Sequence, residues 1–424
     1  MLAILLIVFF VLGYLAIAFE HPLGVNKAAS ALMTGVLCWL IYFFEAHAIN
    51  EATEHLMHHL GDIASILFFL LGAMTIVEMI DSHNGFEIIT QKIKTTNKGT
   101  LLIIITTLTF FISALLDNLT TSIVMTSLCA KILTEKEDKL WFAGMIVIAA
   151  NAGGAWSPLG DVTTTMLWIG GQLTALNVMT KTFLASLAVC IVPLLILVGK
   201  FRKEKIPNPS LKRDKTSKES NIILFTGVGL LVFVPVFKTV THMPPFMGML
   251  LALSIIWIVT TWIHADKHYQ EKKKLSVATA LQKIDTPSIL FFLGILLAVA
   301  ALESYGMLKT FATFLDGTLK NDYLIGITLG LLSAIVDNVP LVAAAQGMYD
   351  LNTFPQDHRF WEFLALTTGT GGSTIIIGSA AGVAVMGIEN IDFMWYLKRI
   401  SWLALVGFIA GIVVFIGQQW LFHN

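Results

Sequence analysis

Charge is scarce in this chain. Asp, Glu, Lys and Arg make up 13% of its 424 residues, against about a quarter in soluble domains. The 27 basic residues nearly cancel the 28 acidic ones, leaving a formal net charge of −1. No basic excess is left to attract a phosphate backbone, so a nucleic-acid partner is excluded. Cysteine is scarce too: Cys38, Cys129 and Cys190 all sit in apolar text without metal-ligand spacing. They read as small hydrophobes rather than as a disulfide framework. Apolar residues are abundant, at 56% with a mean hydropathy of +0.78. That balance excludes a cytosolic enzyme and a disordered chain. The apolar runs approach the roughly 20 residues a helix needs to cross a bilayer, whereas barrel strands alternate over about ten. The expected class is an all-α polytopic membrane protein. Met1 to Phe19 has no basic leader and no small-residue cleavage site, so it is expected to be a retained span rather than a signal peptide.

Apolar runs lie near 2–19, 28–44, 62–80, 141–168, 180–199, 222–240, 245–263, 286–304, 360–390 and 395–421. Gly-rich polar text interrupts 141–168 and 360–390, which predicts broken helices. Stretches 99–133 and 322–350 have polar centres, which predicts hairpins that enter the membrane and turn back. Residues 200–221 form the longest polar tract, read as a solvated loop between two halves, 1–199 and 222–424. The halves repeat. SILFFLLGAM from Ser65 answers SILFFLGILL from Ser288; ISALLDNLTTSIVM from Ile112 answers LSAIVDNVPLVAAA from Leu332; NAGGAWSPLGD from Asn151 answers GTGGSTIIIGS from Gly369. The offsets are 223, 220 and 218, so three blocks keep order and spacing. Internal repeats of this kind mark transporter folds.

Each half then holds about five crossings, one re-entrant hairpin and one broken helix. An odd number of crossings inverts the second half relative to the first. On that topology 22 Lys and Arg lie on the side of the central loop and 5 on the other. The positive-inside rule therefore places the central loop in the cytoplasm and both termini outside.

The informative residues are carboxylates within or beside apolar segments: Glu78, Asp117, Asp161 and Asp337. A charge near the bilayer centre costs about 2.5–3.5 kcal/mol on insertion scales. No Lys or Arg lies within those segments, so a proton, a bound cation or water must neutralise them. The competing reading is a carboxylate at a water-exposed helix end. Asp117-Asn118 and Asp337-Asn338 are equivalent under the repeat and make poor mid-helix text, which suits a hairpin tip. A tip frees backbone carbonyls and adds a carboxylate and an amide oxygen, ligands that suit a hard cation. Asn151 to Asp161 carries two adjacent glycines and a proline, with Thr163, Thr164 and Thr165 on the next turn. Thr367 to Thr374 repeats the break without a carboxylate. Glycines here serve either half-helix ends at the midplane or close helix packing. Ser373, Thr374 and Ser379 serve either the site or back-bonding to their own helix. His55, His58 and His59 share one helix face and are expected on a solvated interfacial helix, with pH sensing as the other reading.

At Asp117-Asn118, NAGGAWSPLGDVTTTMLW and SAIVDNVPLVAA, the chain resembles the NhaD-type sodium/proton antiporters of the ion-transporter superfamily, across essentially its whole length. The resemblance implies two inverted repeats, two re-entrant hairpins and two broken helices. It implies ion-binding or essential roles for Asp117, Asn118, Asn151, Asp161, Thr163, Thr164, Ser333, Asp337 and Asn338, and, on a weaker match, Glu78, Ser373 and Thr374. It also implies a homodimer. Dicarboxylate carriers of the superfamily carry Ser-Asn-Thr at the tips; here Asp replaces Ser at both, and anionic tips repel a dicarboxylate.

The expected activity is exchange of Na⁺ or Li⁺ for H⁺ across a bacterial inner membrane, with cation and protons competing for the aspartates. Na⁺ is expected at Asp117, Asn118, Asn151, Asp161, Asp337 and Asn338. No cofactor is expected beyond the transported ions, and no enzymatic role. Replacing Asp by Asn at 117, 161 or 337 is expected to abolish exchange. The alternatives are a cation-coupled anion symporter, which fits the Ser/Thr-rich second half, and an intramembrane metallohydrolase built on the three histidines.

Overall fold

The computed structural model describes residues 2–45, 49–90, 93, 95–206, 217–265 and 267–422. The middle of the expected central loop, 207–216, lies outside the described residues, as do residues 1 and 423–424 of the two expected halves. The described chain is almost wholly helical. The first half supplies α1 (Leu2–Ala18), α2 (Lys27–Glu45), α3 (Ile49–Ser82), α4 (Lys98–Leu116), α5 (Asn118–Ile132), α6 (Lys136–Gly154), α7 (Val162–Ile169) and α8 (Ala175–Phe201). The second supplies α9 (Lys218–Thr241), α10 (Pro245–Ile263), α11 (Thr286–Ser304), α12 (Met307–Leu319), α13 (Asp322–Leu332), α14 (Asn338–Met348), α15 (Arg359–Gly371), α16 (Ala380–Glu389) and α17 (Ser401–Phe422). Among the described residues, eight of these are long and apolar enough to cross a membrane: α2, α3, α4, α8, α9, α10, α11 and α17.

One segment differs from the sequence expectation. The histidine-bearing stretch and the following span are one helix, α3, of 34 residues, about 51 Å long at 1.5 Å per residue. Gly61 is the sole weak helix former at the junction, and one glycine does not end a helix. In the first polar-centred stretch, α4 has 19 residues and crossing length of its own, and α5 follows it after Asp117.

Helices meet where small residues let backbones approach. A Cβ on Gly35 of α2 would stand 2.5 Å from the carbonyl oxygen of Gly294 on α11, and one on Gly407 of α17 would stand 2.5 Å from that of Val189 on α8. The repeated blocks also pack alike. A Cβ on Gly154 would lie 2.4 Å from Gly160 O, and one on Gly372 would lie 2.7 Å from Gly378 O. The Ser113 hydroxyl donates to Ala150 O at 2.6 Å, and Ser333 donates to Thr368 O at 3.0 Å. The offsets of 220 and 218 in the sequence are therefore offsets in packing too.

At the start of α4, Lys98 is buried and ion-paired with Asp138 at 2.6 Å and Glu204 at 2.9 Å. This cluster ties α4, the first turn of α6 and the end of α8 together on the side of the central loop. A buried lysine needs such partners, because an unpaired charge there is costly.

Candidate functional site

Four helices begin at breaks in the middle of the fold, and each start is capped by a side chain of the chain itself. Asp117 is the single residue between α4 and α5. Its φ of 88° and ψ of 155° lie in a region nearly reserved for glycine and cost about 1–3 kcal/mol in backbone strain. Its carboxylate offsets part of that cost by accepting from Thr120 N and Thr120 Oγ1, both at 2.8 Å. Asp337 caps α14 by accepting from Val339 N at 3.2 Å, with an unstrained φ of −48°. Asp161 caps α7, where its Oδ1 accepts from Thr163 N at 2.9 Å and Thr163 Oγ1 at 2.8 Å. Ser379, the counterpart of Asp161 under the repeat, caps α16 by accepting from Gly382 N at 3.2 Å. A helix start carries about half a positive charge. Three of these four starts are met by a carboxylate.

The four starts are joined by one hydrogen-bond network centred on Asp161, which is 1% exposed. The Asn118 amide donates to Asp161 Oδ2 at 2.8 Å and to Asn151 Oδ1 at 3.0 Å. The Asn338 amide reaches both Asp161 oxygens at 3.4 Å. The Asn151 amide donates in turn to Ser373 Oγ at 2.9 Å and Ser379 Oγ at 3.0 Å. Residues far apart in sequence thus meet around one buried carboxylate. Among the described residues, no Lys, Arg or His forms an ion pair with Asp117, Asp161 or Asp337. Asp117 and Asp337 lie within electrostatic reach of Asp161, but each turns its carboxylate to its own helix start.

The other expected residues divide. Thr163 binds Asp161 directly. Thr164 closes the break between α6 and α7 through Ser157 O at 2.8 Å and Asp161 O at 2.9 Å. Ser333 is buried and bonded to Gly330 O and Thr368 O. Ser373 enters the network, and the Tyr396 hydroxyl donates to its carbonyl at 2.8 Å. Thr374 Oγ1 is buried with no hydrogen-bond partner among the described residues. Glu78 stands apart. It pairs with Lys283 at 2.9 Å and accepts from Ser82 at 2.8 Å at the end of α3. Lys283 lies outside every apolar run, so a search for bases within those runs does not find it. The three histidines do not converge: His55 meets Tyr42 at 2.7 Å, His59 meets Ser304 at 3.1 Å, and His58 lies 3.6 Å from Asp62. Ser379 is the network member to which sequence reasoning attaches least weight. Its signal was its alignment with Asp161 at the offset of 218.

A family model described as "Citrate transporter" matches residues 14–371. A protein of Arabidopsis thaliana named sodium/proton antiporter 1 is 47% identical over 410 residues, 96% of this chain and 71% of its own length. A second from that plant, sodium/proton antiporter 2, is 43% identical over 412 residues, 96% of this chain and 97% of its own. The Na⁺/H⁺ antiporter NhaD of Vibrio cholerae serotype O1 is 31% identical over 441 residues, 96% of this chain and 89% of its own.

Proposed function

The chain belongs to the family whose model is described as citrate transporter and is a relative of the NhaD-type sodium/proton antiporters, and we propose that it exchanges Na⁺ or Li⁺ for H⁺ across its membrane. The observation that carries this reading is Asp161: 1% exposed, without a cationic partner among the described residues, and addressed by the tip asparagines of both halves. Desolvating a bare carboxylate is costly. Asp161 therefore crosses the barrier with a proton or a cation, and the two compete for its oxygens. Asparagine suits both conditions. Its NH₂ group donates to the carboxylate, as Asn118 and Asn338 do here, and a turned amide offers its oxygen to a cation. Asp117 and Asp337 hold their tips in shape and add negative potential. Antiporters are named among the relatives, which supports the same reading.

We extend the proposal to the architecture. The two halves are inverted repeats, the hairpins and broken helices move together against the long spans, and the central loop is cytoplasmic. A homodimer belongs to the same proposal.

A second reading, a cation-coupled anion symporter, draws on the family's description and on the hydroxyl-rich break at 367–374. Against it, the backbone N–H groups of Thr120, Thr163, Val339 and Gly382 are taken by the chain's own caps. Helix starts are the usual anion cradles, and here three hold carboxylates.

The test uses everted vesicles from antiporter-deficient bacteria expressing the chain. With an acid-inside gradient reported by a quenched dye, added NaCl or LiCl restores fluorescence, and control vesicles do not respond. No response from pH 6 to 9.5 with the protein present, together with uptake of labelled citrate, would move the assignment to the symporter.

A further inference from the structure

We propose that a cavity of about 210 Å³ is the entrance through which the cation reaches the first tip, with Glu20 and Asp285 drawing it in. The proposal rests on the exchange reading above and adds to it a route, a side and two residues. Leu119, Ala380 and Val383 are among the residues that line the cavity. Leu119 follows Asn118 in the first turn of α5, and Ala380 follows Ser379 at the start of α16, so the lining is one residue removed from the Asp161 network at two points. Glu20, Lys27 and Asp285 line it too, from the segment before α2, the first residue of α2 and the cap of α11.

The charges are arranged to favour a cation. The Lys27 ammonium lies over the Phe291 ring, 4.6 Å from its centroid. Among the described residues it forms no ion pair with either carboxylate. Glu20 accepts from the backbone N of Lys27, at 3.1 Å. Asp285 accepts from Ser288 N at 3.2 Å and from the Ser288 hydroxyl. Two carboxylates and one ammonium thus line the cleft, a formal balance of −1, and a net negative lining concentrates cations. The same charge opposes a citrate at the entrance.

The side follows from the chain path. α9 starts at the end of the central loop, α10 returns, and Lys267 beyond it pairs with Glu219 in the first turn of α9. The segment leading to Asp285 therefore lies on the side of the central loop, and the Lys27–Phe291 contact puts the start of α2 there as well.

Two measurements test this. The first needs no transport. Val383 is 39% exposed, whereas all three native cysteines are buried. An impermeant maleimide labels Val383→Cys in everted vesicles and not in intact cells. Labelling from the outer face, or from neither, would overturn the entrance. The second is kinetic. Glu20→Gln and Asp285→Asn remove the charges and keep one acceptor oxygen each, for Lys27 N and Ser288 N; the Ser288 hydroxyl can turn to accept from the new amide. Together they raise the KM for Na⁺ on the order of threefold to tenfold at low ionic strength. The maximal rate is retained, and the difference shrinks as choline chloride screens the charges. An unchanged KM, or a fall in maximal rate alone, would refute the role of the two carboxylates. Loss of exchange in the unaltered chain would instead count against the exchange reading, while the labelling result would stand.

Discussion

Asp161→Asn removes one charge and no volume, yet it shifts the donor–acceptor balance of the network. Four donors face the two Asp161 oxygens: Thr163 N, Thr163 Oγ1 and the amides of Asn118 and Asn338. An asparagine has one acceptor oxygen. Kept towards Thr163, it sets its NH₂ group against the Asn118 NH₂, now 2.8 Å from Oδ2. Turning Asn118 moves the conflict to Asn151 Oδ1, and turning Asn151 sets its oxygen against Ser373 Oγ and Ser379 Oγ, whose hydroxyls then donate instead of accepting. Reversing both amides and both hydroxyls absorbs the change and avoids the cost of about 1–3 kcal/mol for a buried group left without a partner. The variant should insert in the membrane with its thermal unfolding midpoint in detergent close to that of the unaltered chain, and give no Na⁺- or Li⁺-dependent recovery of dye fluorescence at any pH. Exchange near that of the unaltered chain would refute the assignment of Asp161 as the shared carboxylate. A midpoint lowered by several degrees, with exchange lost, would refute the network argument while leaving the charge argument intact.

The sequence alone predicts lost exchange for Asp→Asn at 117 and 337 as at 161; the geometry revises that expectation, because these two carboxylates turn to their own helix starts and Asn caps a helix about as well as Asp. Asp117→Asn and Asp337→Asn should therefore retain exchange with a weaker KM for Na⁺; complete loss in either would make that carboxylate a direct ligand. Gly371→Ala puts a Cβ 1.9 Å from Gly330 O, whereas a Cβ on Gly387 meets nothing within 4 Å. The first should sharply reduce the folded yield on size-exclusion chromatography in detergent, and Gly387→Ala should match the parent. Beyond the ends of α3 and α10, His83 and His264 are buried with their Nε2 atoms 3.0 Å apart and their rings parallel. Burial pushes His83 down to about 4. Between about 6.5 and 4 the unfolded chain therefore binds a proton that the folded chain does not, so stability decreases as the pH is lowered through that window. His83→Gln should flatten that slope in thermal unfolding followed from pH 7 to 4.5.

Much of this was legible in the sequence because of cost. A carboxylate in apolar text is expensive enough to stand out, so Asp117, Asp161 and Asp337 could be singled out without any structure. Ser379 could not, since a serine in a helix is cheap and commonly bonds its own backbone. Only its alignment with Asp161 pointed to it. The ranking of the acids was also hidden. Nothing local distinguishes Asp117, which turns to Thr120, from Asp161, which collects amides from both halves. Glu78 read as an unpaired acid because its partner Lys283 lies 205 residues away.

Composition and periodicity determined the class, the approximate spans, the breaks and the repeat, because each follows from nearest neighbours along the chain: apolar run length, glycines and proline, and spacing. The tertiary structure decided which carboxylate is shared. Asn118 is 43 residues from Asp161, Asn338 is 177 residues from it, and Asn151 is 228 residues from Ser379. The direction of each hydrogen bond between them depends on where four separate helices start in space.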